Sequence, residues 1–113
     1  MITIGDVVEL SIDIPEQNLR AGDRGSVVHC HNPEAYEIEL TNENGETLNF
    51  LSLNPDQFIV VWKADTEQWV PVVEQVAALT TNLPDDSARE VLDFARFLSV
   101  HKRKKIGATV QSN

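Results

Sequence analysis

Tyr36-Glu37-Ile38-Glu39-Leu40 alternates apolar and acidic side chains without a break, and Asn44-Gly45 follows shortly after. A period of two lays Tyr36, Ile38 and Leu40 on one face of a strand and both glutamates on the other. An Asn-Gly pair is a strong short-range signal for a tight hairpin turn. Thr47-Leu48-Asn49-Phe50-Leu51 is then the returning strand, and the chain must build an antiparallel sheet with one dry and one charged face.

The rest of the first half fits that beginning. Val7-Val8-Glu9-Leu10 reads as a first strand, and a long connection containing Pro15 ends in Ala21-Gly22-Asp23-Arg24-Gly25, a glycine-rich tight turn. Ser26-Val27-Val28-His29 is a second strand, broken by Asn32-Pro33. Leu53-Asn54-Pro55-Asp56-Gln57 is a turn with room for one turn of 3₁₀ helix before a last strand, Phe58-Ile59-Val60-Val61. Five short strands with this punctuation predict a small closed barrel over residues 1–62.

Leu19-Arg20-Ala21-Gly22-Asp23-Arg24-Gly25-Ser26-Val27-Val28 resembles the glycine-turn segment of SH3-like barrels, the KOW motif included. With Val7 to Leu10, Tyr36 to Leu40 and Leu53 to Phe58, the segment is similar to an uncharacterised family of small bacterial SH3-like barrel proteins, over about residues 4–61. The resemblance implies a fold and says almost nothing of a task, since small barrels host many unrelated ones. A KOW element that binds RNA implies basic residues, and these are largely missing here.

The charge is lopsided. Of a net −9, residues 1–62 carry the whole excess, with Arg20 and Arg24 alone against eleven carboxylates. Residues 63–113 balance overall and include the basic run His101-Lys102-Arg103-Lys104-Lys105. An acidic barrel repels phosphates and attracts a basic protein surface, so nucleic-acid binding by barrel and basic tip is the weakest of the functional readings. No apolar run approaches the roughly 20 residues of a membrane span, and Met1 to Asp6 lacks the features of a signal peptide, so no membrane association and a cytoplasmic location are expected. Cys30 is the single cysteine and reads as a small buried hydrophobe.

Residues 63–71 read as a linker anchored by Trp62 and Trp69, and residues 72–105 as a helical hairpin, with a disordered tail over 106–113. Pro71 opens a first helix whose apolar positions Val72, Val73, Val76, Ala77 and Leu79 share a face. Leu83-Pro84-Asp85-Asp86 opens a second, longer one, with Ser87 and Glu90 at capping-box spacing and basic residues at its end. At about 100° per residue, Ala88, Val91, Leu92, Phe94, Ala95 and Leu98 form an apolar arc about 160° wide, with Phe97 about 60° outside it and Val100 on the polar side. The first helix is too short to cover the second along its length. The fold expected is therefore α+β, a five-stranded SH3-like β-barrel followed by a C-terminal helical hairpin.

Leu83-Pro84, the acidic start, Val91-Leu92-Asp93-Phe94-Ala95-Arg96-Phe97-Leu98 and the basic end resemble short bacterial antitoxin-like proteins, over about residues 72–104. That resemblance implies a helix that engages a cognate partner or dimerises. The DNA-binding segment common in such antitoxins is not recognisable here.

No constellation for bond-breaking chemistry emerges, and neither a catalytic set nor a cofactor is expected. His29-Cys30-His31 places its two histidines on one face of a strand and the thiol on the other, which cannot close on one metal. The expected function is a non-enzymatic protein-binding module, antitoxin-like or an adaptor, docking a cognate protein partner such as a toxin or enzyme encoded nearby. Its candidate contact residues are Val91, Leu92, Phe94, Phe97, Leu98, Val100 and Trp69. The alternative is a homo-oligomeric structural protein that self-associates through the same helix.

Overall fold

The structure, a computed structural model, describes residues 1–102. Arg103, Lys104 and Lys105 of the basic run, and the tail over 106–113, lie outside the described residues. The chain divides into two compact units, Met1–Asn82 and a second that begins at Leu83.

The first unit is built on six strands: β1 Val7–Leu10, β2 Arg24–Asn32, β3 Ala35–Thr41, β4 Thr47–Leu53, β5 Phe58–Lys63 and β6 Gln68–Trp69. All neighbours run antiparallel in the order β4-β3-β2-β1-β5-β6. The architecture is α+β, as expected, but the expected five-stranded closed barrel is corrected on both counts. The sheet has six strands and is not closed, with β4 and β6 at its edges. The added strand lies in the segment taken for a linker, where Trp69 pairs with Trp62 and Gln68 with Lys63. Two residues are too few for an alternation to register in the sequence, and closure depends on pairings between distant strands that local patterning does not encode.

Alternation places the core. Ile38 and Leu40 of β3 are fully buried, as are Val8 of β1, Val27 of β2 and Val61 of β5, with Leu10 of β1 also buried. Tyr36 meets the ring of Phe58 edge-on, centroids 6.1 Å apart. Leu19 enters the core from the β1–β2 connection, where a backbone bridge to Ile14 and a 3₁₀ turn over Pro15–Gln17 fold the loop back. Gly25 of β2 lies tight against β3: a Cβ there would lie 2.6 Å from the Glu39 carbonyl oxygen and 2.8 Å from Ile38 Cγ2. The second 3₁₀ turn, Pro55–Gln57, is held by a capping box, with Asp56 N–H donating to Asn54 Oδ1 and Asn54 N–H donating to Gln57 Oε1. It delivers Phe58 into β5.

Helix α1, Val72–Thr81, begins directly after Pro71 and belongs to the first unit, where it lies beside β5. Gln75 Nε2 donates to the Val70 carbonyl at 2.9 Å and fastens its first turn. Helix α2, Asp85–Lys102, forms the described part of the second unit. Its first turn closes when Ala88 N–H donates to the Pro84 carbonyl, and Ser87 N–H donates to Asp86 Oδ1, so the aspartate rather than the serine tends that end.

Candidate protein-docking surface

Helix α2 is 18 residues long, about 27 Å, and none of its residues is buried. Val91 and Ala88 are half-buried, whereas Leu92, Phe94, Phe97, Leu98 and Val100 are exposed. Phe97, placed outside the apolar arc by helical geometry alone, turns toward it. Its ring stacks on Phe94 one turn earlier, planes 14° apart and centroids 6.2 Å apart, and its other flank meets His101 at 4.5 Å. The two phenylalanines thus make one continuous aromatic face at the middle of the helix. Val100 is 77% exposed and takes no part in that stack. Charge along α2 runs from Asp85, Asp86, Glu90 and Asp93 in its first half to Arg96, His101 and Lys102 in its second, with Arg89 the one exception. Arg96 reaches back to Asp93 at 3.2 Å.

Trp69, the remaining candidate contact residue, belongs to the first unit. It is 59% exposed on β6, and the Arg24 guanidinium lies 5.3 Å from its ring centroid. Arg24 is oriented by Glu9, its Nε donating to the carboxylate at 3.0 Å. An exposed tryptophan under an oriented arginine combines two side chains that are enriched at binding hot spots.

The most constrained polar group was not singled out by sequence. Asp6 is fully buried. Its carboxylate accepts from Thr3 N–H at 2.8 Å, Ala64 N–H at 2.8 Å and Lys63 Nζ at 2.7 Å, and Lys63 also donates to the Met1 carbonyl. Burial alone pushes the carboxyl up, but the Lys63 ammonium and the two amides outweigh it and hold Asp6 below its ordinary value. The group ties the start of the chain to the end of β5, so its role is architectural. Burial and two partners far away in sequence, Lys63 and Ala64, distinguish it from the other acids of the first half.

His29 and His31 do share a face, their rings meeting edge to face at 4.7 Å, and His31 Nε2 lies 3.0 Å from Glu37 Oε1. Among the described residues no three His, Cys, Asp or Glu side chains are grouped so as to hold a metal ion. Cys30 is exposed rather than buried, which corrects the reading of its thiol as a core hydrophobe. From Val28 onward β2 is exposed on every residue, so alternation no longer marks an inside there. Within the described residues no helix is long and apolar enough to cross a membrane.

No curated protein and no solved structure matches the chain. A family match spans residues 4–60, from ahead of β1 into β5, and the chain belongs to that family, described as Domain of unknown function (DUF4926).

Proposed function

We propose that this chain is a non-enzymatic binding module, antitoxin-like or adaptor in kind, that docks a cognate protein partner through the apolar face of α2. The observation that carries the reading is the Phe94–Phe97 stack, flanked by exposed Leu92 and Leu98 on a helix with no buried residue. An amphipathic helix of this length is marginal by itself and gains most of its stability by burying its apolar stripe. A hydrophobic groove on another protein supplies that burial, with Val91, Phe94 and Leu98 as the i, i+3 and i+7 anchors and Phe97 stacked beside Phe94. The acidic first unit steers association toward a basic partner. A SH3-like relationship for the sheet and the part played by Trp69 and Val100 belong to the same proposal.

Self-association through α2 is the second reading, and the charge polarity of the helix favours it. Two copies laid antiparallel set the acidic first half of one against the basic second half of the other. Phosphate binding by the sheet has the least support, because no lysine or arginine occurs from Gly25 to Trp62.

Co-expression with the protein encoded beside it tests the proposal. Co-elution should be lost on Phe97→Asp while helix content is unchanged, and Phe94→Ala should weaken binding by about 2 kcal/mol, roughly 30-fold. Binding indifferent to both changes refutes the reading. A dimer of the isolated chain that dissociates on Phe97→Ala shifts the assignment to self-pairing.

A further inference from the structure

Strand β4, Thr47-Leu48-Asn49-Phe50-Leu51-Ser52-Leu53, ends the sheet on one side and has no strand beyond it among the described residues. A bare strand edge is a template for another chain, and proteins usually blunt it with a lysine, a proline or a very short strand. The opposite edge is blunted in that way, since β6 has two residues. Strand β4 has seven, none of them charged and none proline. Leu48 and Phe50 stand 56% and 53% exposed on it. The Phe50 amide donates to the adjacent Asn49 Oδ1 at 2.8 Å, a local contact that a stronger acceptor on an incoming strand can displace.

The surroundings specify what kind of strand fits. Glu39 lies directly opposite Phe50 on β3, and Glu37 directly opposite Ser52. Glu43 and Glu46 follow in the β3–β4 turn. The stretch from Gly25 to Trp62 contains no lysine or arginine, Glu37 meets only His31 Nε2 at 3.0 Å, Glu39 accepts from the Thr47 hydroxyl, and Arg24 at the start of β2 is engaged by Glu9, so a lysine or arginine on an added strand adds a cation to an acidic face. A strand added beside β4 would stand about 10 Å, two strand spacings, from the Glu37 and Glu39 row. A lysine or arginine on it can lay its apolar stem over Phe50 and Leu48 and direct its charge toward those carboxylates.

We propose that the free edge of β4 is a second docking site, independent of α2, that takes up an extended segment bearing lysine or arginine at alternate positions as an added strand. Main-chain hydrogen bonds supply the affinity, and the acidic row with Phe50 selects the basic side chains.

The test uses the full chain and a synthetic eight-residue peptide alternating lysine and valine. Two controls accompany it, the glutamate–valine counterpart and a lysine–valine peptide with alternate backbone amides N-methylated. The lysine peptide should slow hydrogen exchange of the Phe50 and Ser52 amides, and added salt should weaken its binding. Both controls, and the lysine peptide on Phe50→Lys, should bind at least about tenfold more weakly. The N-methylated control leaves the protein unaltered, so it tests the strand geometry even if Phe50→Lys misfolds. Equal binding by the N-methylated peptide, or protection located away from β4, overturns the proposal. Protection of β4 without peptide, together with a doubled mass, also overturns it by assigning the edge to a second copy.

Discussion

Replacing Asp6 with alanine should cost the first unit about 3 kcal/mol. The carboxylate is fully buried and accepts three hydrogen bonds, from the Thr3 and Ala64 amides and from Lys63 Nζ. Removing one member of a buried pair costs about 3–5 kcal/mol because its partners are left unsatisfied. Lys63 is 24% exposed, so water recovers part of its solvation and the lower end of that range applies. A unit of this size has about 4–12 kcal/mol in total, so the variant should remain folded at 25 °C but melt about 15 °C earlier. Urea unfolding followed by tryptophan emission reports the change, since Trp62 lies in β5 and Trp69 in β6, at the end of the sheet that Asp6 secures. Asp6→Asn keeps one acceptor oxygen and should fall between the two. A loss below about 1 kcal/mol for Asp6→Ala would show that the carboxylate behaves as a surface acid and would refute the reasoning.

Four further outcomes follow from the same geometry. Because the folded Asp6 carboxyl titrates below its ordinary 3.8, the unfolded chain takes up the proton first as pH falls. Its stabilisation is therefore complete above that value and drains away as pH drops through the folded one, and Asp6→Asn should flatten this acid limb in urea titrations. Gly25→Ala forces a methyl to within 2.6 Å of the Glu39 carbonyl and should destabilise by about 2–3 kcal/mol, whereas Gly45→Ala, with φ +81° and open space around it, should cost about 1 kcal/mol; equal costs in thermal melts would contradict the packing described. Ile38→Ala, at the fully buried centre of the core, should lose about 2–5 kcal/mol by the same measurement. Arg24→Ala should change the emission of Trp69 while altering stability by less than about 1 kcal/mol, because the stack is exposed.

The elements with their own local signal were legible. The span Val7–Leu10 and the inward set Tyr36, Ile38 and Leu40 could be read from alternation, and Gly45 adopts the left-handed conformation that the Asn-Gly turn requires. Pro84 followed by two aspartates marked the start of α2 within a residue. Features that depend on distant partners were not legible. Asp6 looks like any other acid until it meets Lys63, 57 residues on. Strand β6 exists only because Trp62 is there to pair with Trp69. For the candidate surface, helical geometry identified the apolar arc but left Phe97 outside it, since a rotamer that stacks two rings across one turn is invisible to a wheel drawn from Cα positions.

The central place of β1 bears on how this protein comes into being on a ribosome. Glu9 pairs on one side with Arg24 but on the other with Ile59, so β1 has to wait for β5 before both its flanks are covered. Until Lys63 has left the exit tunnel, the nascent chain holds β1 with one flank unclothed and a carboxylate without its cation. A gene fragment trimmed to the family boundary at residue 60 would keep Phe58, Ile59 and Val60 beside β1 but leave the Asp6 carboxylate without Lys63 and Ala64.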